Sequence, residues 1–401
     1  MTSSLLAHVE MAPRDPILGV TEAFVADKNP KKVNLGVGIY YDDTGKVPVL
    51  ECVRRAERDM AEKSAPRAYL PIDGLAAYDK AIQTLVFGAD NPALKDNRVI
   101  TVQTLGGTGG LKVGADFLRR TAPDAQVWIS DPSWENHRAI FENAGFTVNT
   151  YPYYDAPTHG VKFSAMLDCL KGLPAGAIVL LHACCHNPTG ADLDAGQWVA
   201  LAGVIESRGL VPFVDLAYQG FGDDLETDVQ GLRLLATRVP QLLLALSCSK
   251  NFGLYRERTG ALAVIAENAT AAAAIATHQA RTARRMYSMP PDHGAAIVAC
   301  LLGDRALRAA WESELAGMVS RMKALRELLA GHLAARRPDR DFSWVTRHRG
   351  MFSLAGLGDA AIGELRSKHH VYVPPDGRIN IAGVSATNVD RVADSIVAVM
   401  G

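Results

Sequence analysis

"QLLLALSCSKNFGLYRERTGALAVIA", residues 241–266, sets two aliphatic runs on either side of a segment that holds three cations, Lys250, Arg256 and Arg258. The runs "LLLALS" (242–247) and "GALAVIA" (260–266) read as buried strands: short, apolar on both faces and bounded by polar, turn-forming residues. A lysine just beyond the end of such a strand needs a reason, because a buried ammonium is costly unless its position is used.

Five more apolar runs share this character. They are "RVITVQTL" (98–105), "AQVWIS" (125–130), "FTVNTYPYY" (146–154), "AIVLL" (177–181) and "LVPFVD" (210–215). Amphipathic helices lie between many of them, as in "GGLKVGADFLRRTA" (109–122), where Leu111, Ala115 and Leu118 fall on one face. That alternation predicts an α/β fold with a mainly parallel sheet covered by helices on both faces. From Leu307 the apolar positions Trp311, Leu315, Met318, Met322, Leu325, Leu329 and Leu333 describe one long helix stopped near Pro338, where a change of domain is expected. Val389, Val392, Ile396 and Val399 mark a last helix with Thr387 as its expected N-cap, and residues 269–276 form an alanine-rich helix.

With 401 residues the chain exceeds one ordinary core, so two units are expected. Lys and Arg number 42 against 43 Asp and Glu, a net charge of -1 that offers no bulk attraction for nucleic acid or anionic membrane. The opening "MTSSLLAHVEMAPRDPILG" lacks a basic segment followed by an apolar one, and no apolar run reaches the roughly 18 residues of a membrane span, so a soluble cytoplasmic protein is expected. Six cysteines (52, 169, 184, 185, 248, 300) are scattered too widely for a disulfide scaffold and read as reduced thiols. "HACCH", His182 to His186, invites a metal reading, but zinc would need ligands from elsewhere and no second Cys/His cluster exists; no metal is expected.

In open parallel sheets ligands bind beyond the carboxyl ends of the strands, and several unusual residues fall there. Gly106-Gly107-Thr108-Gly109 follows the first run, Trp134 the second, and "HNPTG" (186–190) follows "AIVLL"; Asp215 ends its run and Lys250 lies past the sixth. Each has a plainer reading alone: the glycines as a tight strand-to-helix connection, Asp215 as a helix cap, Trp134 as a core aromatic, His182 as a buried histidine. A glycine turn opening a helix would also present free N–H groups to a phosphate.

The ordered set is what discriminates. It resembles the class I aminotransferases of pyridoxal-phosphate fold type I along nearly the whole chain. The shared segments run from "DPILGV" (15–20), "VNLGVG" (33–38), "YLPIDG" (69–74) and "GGTGGL" (106–111) through "DPSWENH" (131–137) and "CCHNPTGADL" (184–193). They continue in "SKNFGLYRERTG" (249–260), "YSMPPDHG" (287–294), "RGMFS" (349–353) and "GRINIAG" (377–383). The resemblance implies a large cofactor domain at 47–319 with a mainly parallel seven-stranded sheet. A smaller α+β domain would comprise 15–46 and 320–401, and an N-terminal arm 1–14.

The same resemblance implies pyridoxal 5'-phosphate as cofactor and assigns the site. Lys250 would carry the cofactor aldehyde and move protons at the substrate Cα, its amine kept partly neutral by burial and by neighbouring cations. Asp215 would pair with the pyridine nitrogen, with His137 orienting it from behind; Asn187 and Tyr218 would donate to the phenolate oxygen, and Trp134 would stack on the ring. Arg258, Ser247, Ser249, Gly107 and Thr108 would hold the phosphate, a planar guanidinium being suited to that task. Arg378 would take the substrate α-carboxylate, with Gly38 nearby. Arg284 would reach a distal carboxylate across a homodimer interface, its neighbour Arg285 being the competing choice, and Tyr69 would touch the neighbouring subunit's phosphate.

Within the family, "GIYYDDTGKVP" (38–48), "NTYPYYD" (149–155), "DLAYQGFG" (215–222) and "RRMYSMPP" (284–291) look closest to the bacterial aromatic-amino-acid branch. The expected activity is a ping-pong transamination (class EC 2.6.1) from tyrosine or phenylalanine to 2-oxoglutarate, with aspartate activity beside it; the alternative is an aspartate aminotransferase with minor aromatic activity. Met289 departs from the small polar residue usual at its place, and Gly106 offers no hydroxyl. A pyridoxal-phosphate-binding regulator would carry a DNA-reading segment and a basic excess, and neither is seen. A nucleotide-dependent oxidoreductase would need G-x-G-x-x-G, which "GGTGGL" does not match.

Overall fold

The computed structural model describes residues 4–12, 16–64 and 66–400. Asp15, which opens the "DPILGV" segment, and part of the expected N-terminal arm lie outside the described residues. Seven strands form the central sheet: β1 (Val99–Leu105), β2 (Val127–Asp131), β3 (Val148–Pro152), β4 (Ile178–His182), β5 (Val211–Leu216), β6 (Leu242–Ser247) and β7 (Thr259–Ile265). Their spatial order is β1-β7-β6-β5-β4-β2-β3. Strands β5 and β6, β4 and β5, β2 and β4, and β2 and β3 pair in parallel, whereas β7 runs antiparallel to both β1 and β6.

Alternation along β6 and β7 explains why both read as unbroken apolar runs. Leu242, Leu244 and Leu246 face one buried layer with Ala261 and Ala263, while Leu243, Ala245, Leu262 and Val264 face the other. The second layer is completed by α1 (Gly106–Thr121), whose Leu111, Ala115 and Leu118 are all buried as its periodicity predicts. Of the two readings the sequence left open for the 106–109 glycines, the structure has the helix-opening one: they are the first turn of α1, which starts at Gly106 and not at 109. One sequence expectation is corrected here. The run 146–154 breaks at Tyr153, and Tyr154–Asp155 pairs in a small hairpin with Gly160–Val161.

Helix α2 (Glu135–Asn143) starts directly after Trp134, and α3 (Ala269–Met286) contains the alanine-rich segment. Helix α4 (Arg305–Arg336) has its aromatic and aliphatic stripe buried from Leu307 to Leu333 and ends just before Pro338. It passes residue 320 without a break. The last helix, α5 (Val389–Val399), is preceded at its N-cap position by Asn388, not Thr387. Thr387 is spent on Ser385 at 3.0 Å between hydroxyls, and Asn388 ties the turn by accepting from Ser385 N at 2.8 Å and donating to the Gly383 carbonyl at 2.9 Å.

The chain's two ends meet. Val33–Asn34 pairs in parallel with Val371–Tyr372, and Asn380 N donates to the Leu35 carbonyl at 2.8 Å. Gly38 and Arg378 thereby come to the mouth of the same cavity. No helix among the described residues is long and apolar enough to cross a membrane.

Candidate active site

A cavity of about 250 Å³ opens at the carboxyl edge of the parallel strands. Of the residues assigned from sequence, Gly38, Gly107, Thr108, Trp134, Asn187, Asp215, Tyr218, Ser247, Ser249, Lys250, Arg258 and Arg378 all line it. His137 lies directly behind, fully buried.

Lys250 follows β6 in a tight turn and projects its amine 4.6 Å from the centre of the Tyr218 ring. Its amine is pulled down to about 8, chiefly because burial penalises the ammonium, helped by Arg258 and Arg378 and opposed by Asp215. The turn is held from below: Trp311 of α4 donates its indole N–H to the Asn251 carbonyl at 2.7 Å and stacks on Phe252 with ring centroids 4.4 Å apart. Sequence reading placed Trp311 only in the core stripe of α4, since nothing in its spacing reveals that it props the lysine turn.

Asp215 belongs to β5, where it is the register partner of His182 on β4. Burial alone would raise its pKa, but the hydrogen bond with His137 Nε2 at 2.8 Å and the nearby positive charges outweigh burial, and the carboxyl is held below its ordinary value. Ser133 contacts the other nitrogen of His137 at 2.9 Å, fixing the ring. His182 packs edge-on against His137 with centroids 5.0 Å apart, and burial drives its pKa down to about 3; its buried Nε2 has no hydrogen-bond partner among the described residues. The carboxylate thus faces the cavity as a fixed anion, with the His137 imidazole behind it.

The end of the cavity at the start of α1 is built from three elements. Helix α1 begins without a side-chain cap; the Gly106 N–H donates to the Arg258 carbonyl at 2.8 Å, which leaves the N–H groups that follow it, at Gly107 and Thr108 in the cavity wall, to meet a ligand. Ser247 and Ser249 flank it from the end of β6, Ser249 N donating to Ser247 Oγ at 3.2 Å. Arg258 arrives there because β7 is antiparallel: its first residue, Thr259, pairs with Leu105 at the end of β1, which puts the preceding arginine at the same sheet edge. Gly106 has φ +68, and a Cβ there would stand 2.5 Å from Arg258 Nη2, so its lack of a side chain is what admits the guanidinium.

Arg378 is 2% exposed and lies over the Phe352 ring with its guanidinium carbon 4.9 Å from the centroid. It donates to Asn187 Oδ1 at 2.9 Å, approaches Asp376 at 3.5 Å and Glu135 at 3.6 Å, and its buried Nε has no hydrogen-bond partner among the described residues. Trp134 is half-buried; it packs against the core layer that α1 completes and also lines the cavity, its ring edge-on to His137 at 5.2 Å. Phe352 and Cys184 also line the cavity and were not picked out as site residues; Phe352 lay unremarked inside the quoted "RGMFS".

Arg284, Arg285 and Tyr69 do not line the cavity of their own chain. Tyr69 is 93% exposed, and both arginines are exposed at the end of α3, Arg284 donating to Ser288 Oγ at 2.7 Å. Met289 is turned toward Leu70, whose N–H it accepts through sulfur at 3.1 Å. The six cysteines are all free thiols.

A buried amine lowered toward neutrality, a fixed anion, an uncapped helix start beside an arginine, and a second buried arginine with a spare donor suit a phosphorylated aldehyde with a basic ring nitrogen. Residues 30–396 match the family model of aminotransferase class I and II. The chain is 48% identical over 397 residues to the aspartate aminotransferase of Pseudomonas aeruginosa, covering 99% of this chain and 100% of that protein. It is 48% identical over 397 residues, with the same coverage, to the aromatic-amino-acid aminotransferase of Escherichia coli. The crystal structure of an aromatic-amino-acid aminotransferase from Burkholderia pseudomallei, described as covalently bound to pyridoxal phosphate, superposes with a TM-score of 0.96 at 51% identity, covering 99% of this chain and 100% of that one. The fold, the cavity chemistry and these full-length matches agree: the chain belongs to the class I and II aminotransferases, enzymes that depend on pyridoxal phosphate.

Proposed function

We propose that this aminotransferase takes the amino group from phenylalanine or tyrosine and delivers it to 2-oxoglutarate by alternating half-reactions, with aspartate as a further donor. The observation that carries the chemistry is the convergence of Lys250, the Asp215–His137 pair, Arg378 and the uncapped start of α1 on one cavity. When bound, pyridoxal phosphate supplies an electron sink for the charge left on the substrate Cα as its proton departs.

The residues divide the remaining work. Arg258, Ser247, Ser249, Thr108 and the Gly107 N–H would hold the phosphate; Asp215 would pair with the ring nitrogen; Asn187 and Tyr218 would serve the phenolate oxygen; Trp134 would cover the ring. Asn187 accepts from Arg378 through its oxygen, which leaves its amide donors for that task. Lys250 would anchor the cofactor, and as a free amine would take the Cα proton and return it; an amine whose pKa is lowered to about 8 does this without a large energetic penalty. Arg378 orients the substrate by its carboxylate, for which a guanidinium with an unused buried donor is suited.

We further propose a homodimer in which Arg284 and Tyr69 complete the partner's site, since both are exposed and lie away from their own cavity. The division into a large unit (47–319) and a small one (15–46 with 320–401) is supported by the pairing of the two chain ends. The aromatic preference is supported by the segments around Gly38, Asn149, Asp215 and Arg284; relatives named for aspartate make aspartate preference the alternative. Single-turnover half-reactions with phenylalanine, tyrosine, aspartate and glutamate, followed by the cofactor's visible absorbance, test both. Aromatic donors should convert at least as fast as aspartate in wild type, and none in Lys250→Ala. Fast conversion in Lys250→Ala would remove the lysine from the scheme, while aspartate outrunning both aromatic donors would select the alternative.

A further inference from the structure

A second, larger cavity of about 470 Å³ backs onto the catalytic one, and Cys184 lines both. In the wall beside it, the thiols of Cys184 and Cys185 and a carboxylate oxygen of Asp228 lie within 4.8 Å of one another. All three residues are buried, at 7%, 3% and 6% exposure. Sequence spacing offered no ligand to join the vicinal cysteines; the short 3-10 turn Thr227–Val229 delivers one.

We infer that Cys184, Cys185 and Asp228 form a site for a soft divalent cation of the zinc and cadmium class, entered from the second cavity. The donors are already held in place. Asp228 accepts from the N–H groups of Gly220 (2.8 Å) and Gly222 (2.9 Å) on one oxygen and of Asp223 (2.9 Å) on the other. The backbone of the cysteine pair is tied by Asp192, which accepts from Cys185 N at 2.6 Å and His186 N at 2.8 Å. Cys185 has φ +52, which sets its thiol beside that of its neighbour rather than on the opposite side of an extended chain. Gly350 closes the far side, because a Cβ there would stand 2.8 Å from Cys185 Sγ.

The two thiolates are what favour a soft or borderline divalent ion, zinc binding sulfur at about 2.3 Å; the carboxylate serves as a third ligand, with water free to complete a tetrahedron. As each metal–sulfur bond forms, the thiol gives its proton to solvent, so the ion is held by two thiolates and one carboxylate. Drawing the thiols inward also disturbs the catalytic cavity: Cys184 is part of its wall, and Cys185 Sγ gives up its 4.0 Å contact with the Tyr218 carbonyl. Occupation should therefore inhibit the enzyme.

Cadmium is the probe, with the holoenzyme in equilibrium dialysis and thiolate-to-cadmium charge-transfer absorbance as readouts independent of turnover. Wild type should bind one Cd²⁺ per chain with loss of activity that a chelator reverses. Cys184→Ser and Cys185→Ser should each weaken binding by at least roughly ten-fold, the lower end of what even outer-shell changes cost metal sites. Cys169→Ser and Cys300→Ser, at the two half-buried thiols elsewhere, should leave it unchanged. Cys185→Ala stands in if a serine variant does not fold. The site is overturned if wild type takes up no Cd²⁺, if uptake survives both changes at the pair, or if it depends on Cys169 or Cys300.

Discussion

In cofactor-free protein, Lys250 should titrate far below an ordinary lysine. At a pKa of about 8, against 10.5 for an unperturbed side chain, its amine at pH 7.5 is neutral in roughly a quarter of molecules instead of about one in a thousand, a ~200-fold gain in nucleophile. The leading cause is burial against Tyr218, with Arg258 and Arg378 adding to it and Asp215 working against it. Two substitutions should therefore move the midpoint in opposite directions: Arg258→Gln upward, by removing a cation, and Asp215→Asn downward, by removing the anion. The assay is the initial rate of acylation of Lys250 by a small amine reagent across pH 6–11, read by peptide mass spectrometry, with the surface lysines Lys28 and Lys31 as internal references. Stability follows the same linkage. The folded chain binds fewer protons than the unfolded one between about pH 8 and 10.5, so this group penalises folding below 8, and the penalty is relieved as pH rises through that window. A Lys250 midpoint equal to that of the surface lysines, or a downward shift in Arg258→Gln, would refute the electrostatic account.

Asp215→Asn should retain cofactor yet lose most of its turnover, since an amide cannot keep the ring nitrogen protonated; steady-state kinetics unchanged from wild type would mean another acid serves that atom. Arg284→Leu should weaken glutamate, aspartate and 2-oxoglutarate by ~2–5 kcal/mol, the usual cost of unpairing a desolvated charge, while sparing phenylalanine. Equal losses for phenylalanine and glutamate in single-turnover rates would make Arg284 structural, and a selective loss in Arg285→Leu would transfer the role. Trp311→Leu removes both the indole bond to Asn251 and the stack on Phe252, and should cost ~2–4 kcal/mol in thermal or denaturant unfolding. Its kcat should fall as well, because the lysine turn loses its prop; a stability loss with unaltered kcat would confine Trp311 to the core.

Much of the molecule could be read from residue order alone, and the reason is local. Strands such as Leu242–Ser247 and Val211–Leu216 are buried on both faces, so their apolar runs are continuous and their carboxyl ends can be located to within a residue or two. The rule that ligands sit beyond those ends then gathers Lys250, Asp215, Asn187 and the start of α1 without any structure. Three-dimensional packing decided what spacing does not encode. The antiparallel direction of β7 brings Arg258 to the start of α1, and the pairing of Val33–Asn34 with Val371–Tyr372 carries Gly38 and Arg378 to one cavity. The long helix α4 presses Trp311 under the lysine turn, and the 3-10 turn at Asp228 meets Cys184 and Cys185. Each of these is a contact between segments distant in sequence. Its energy depends on shape complementarity and shared burial, and neither the hydrophobic period nor the turn chemistry of a single segment records it.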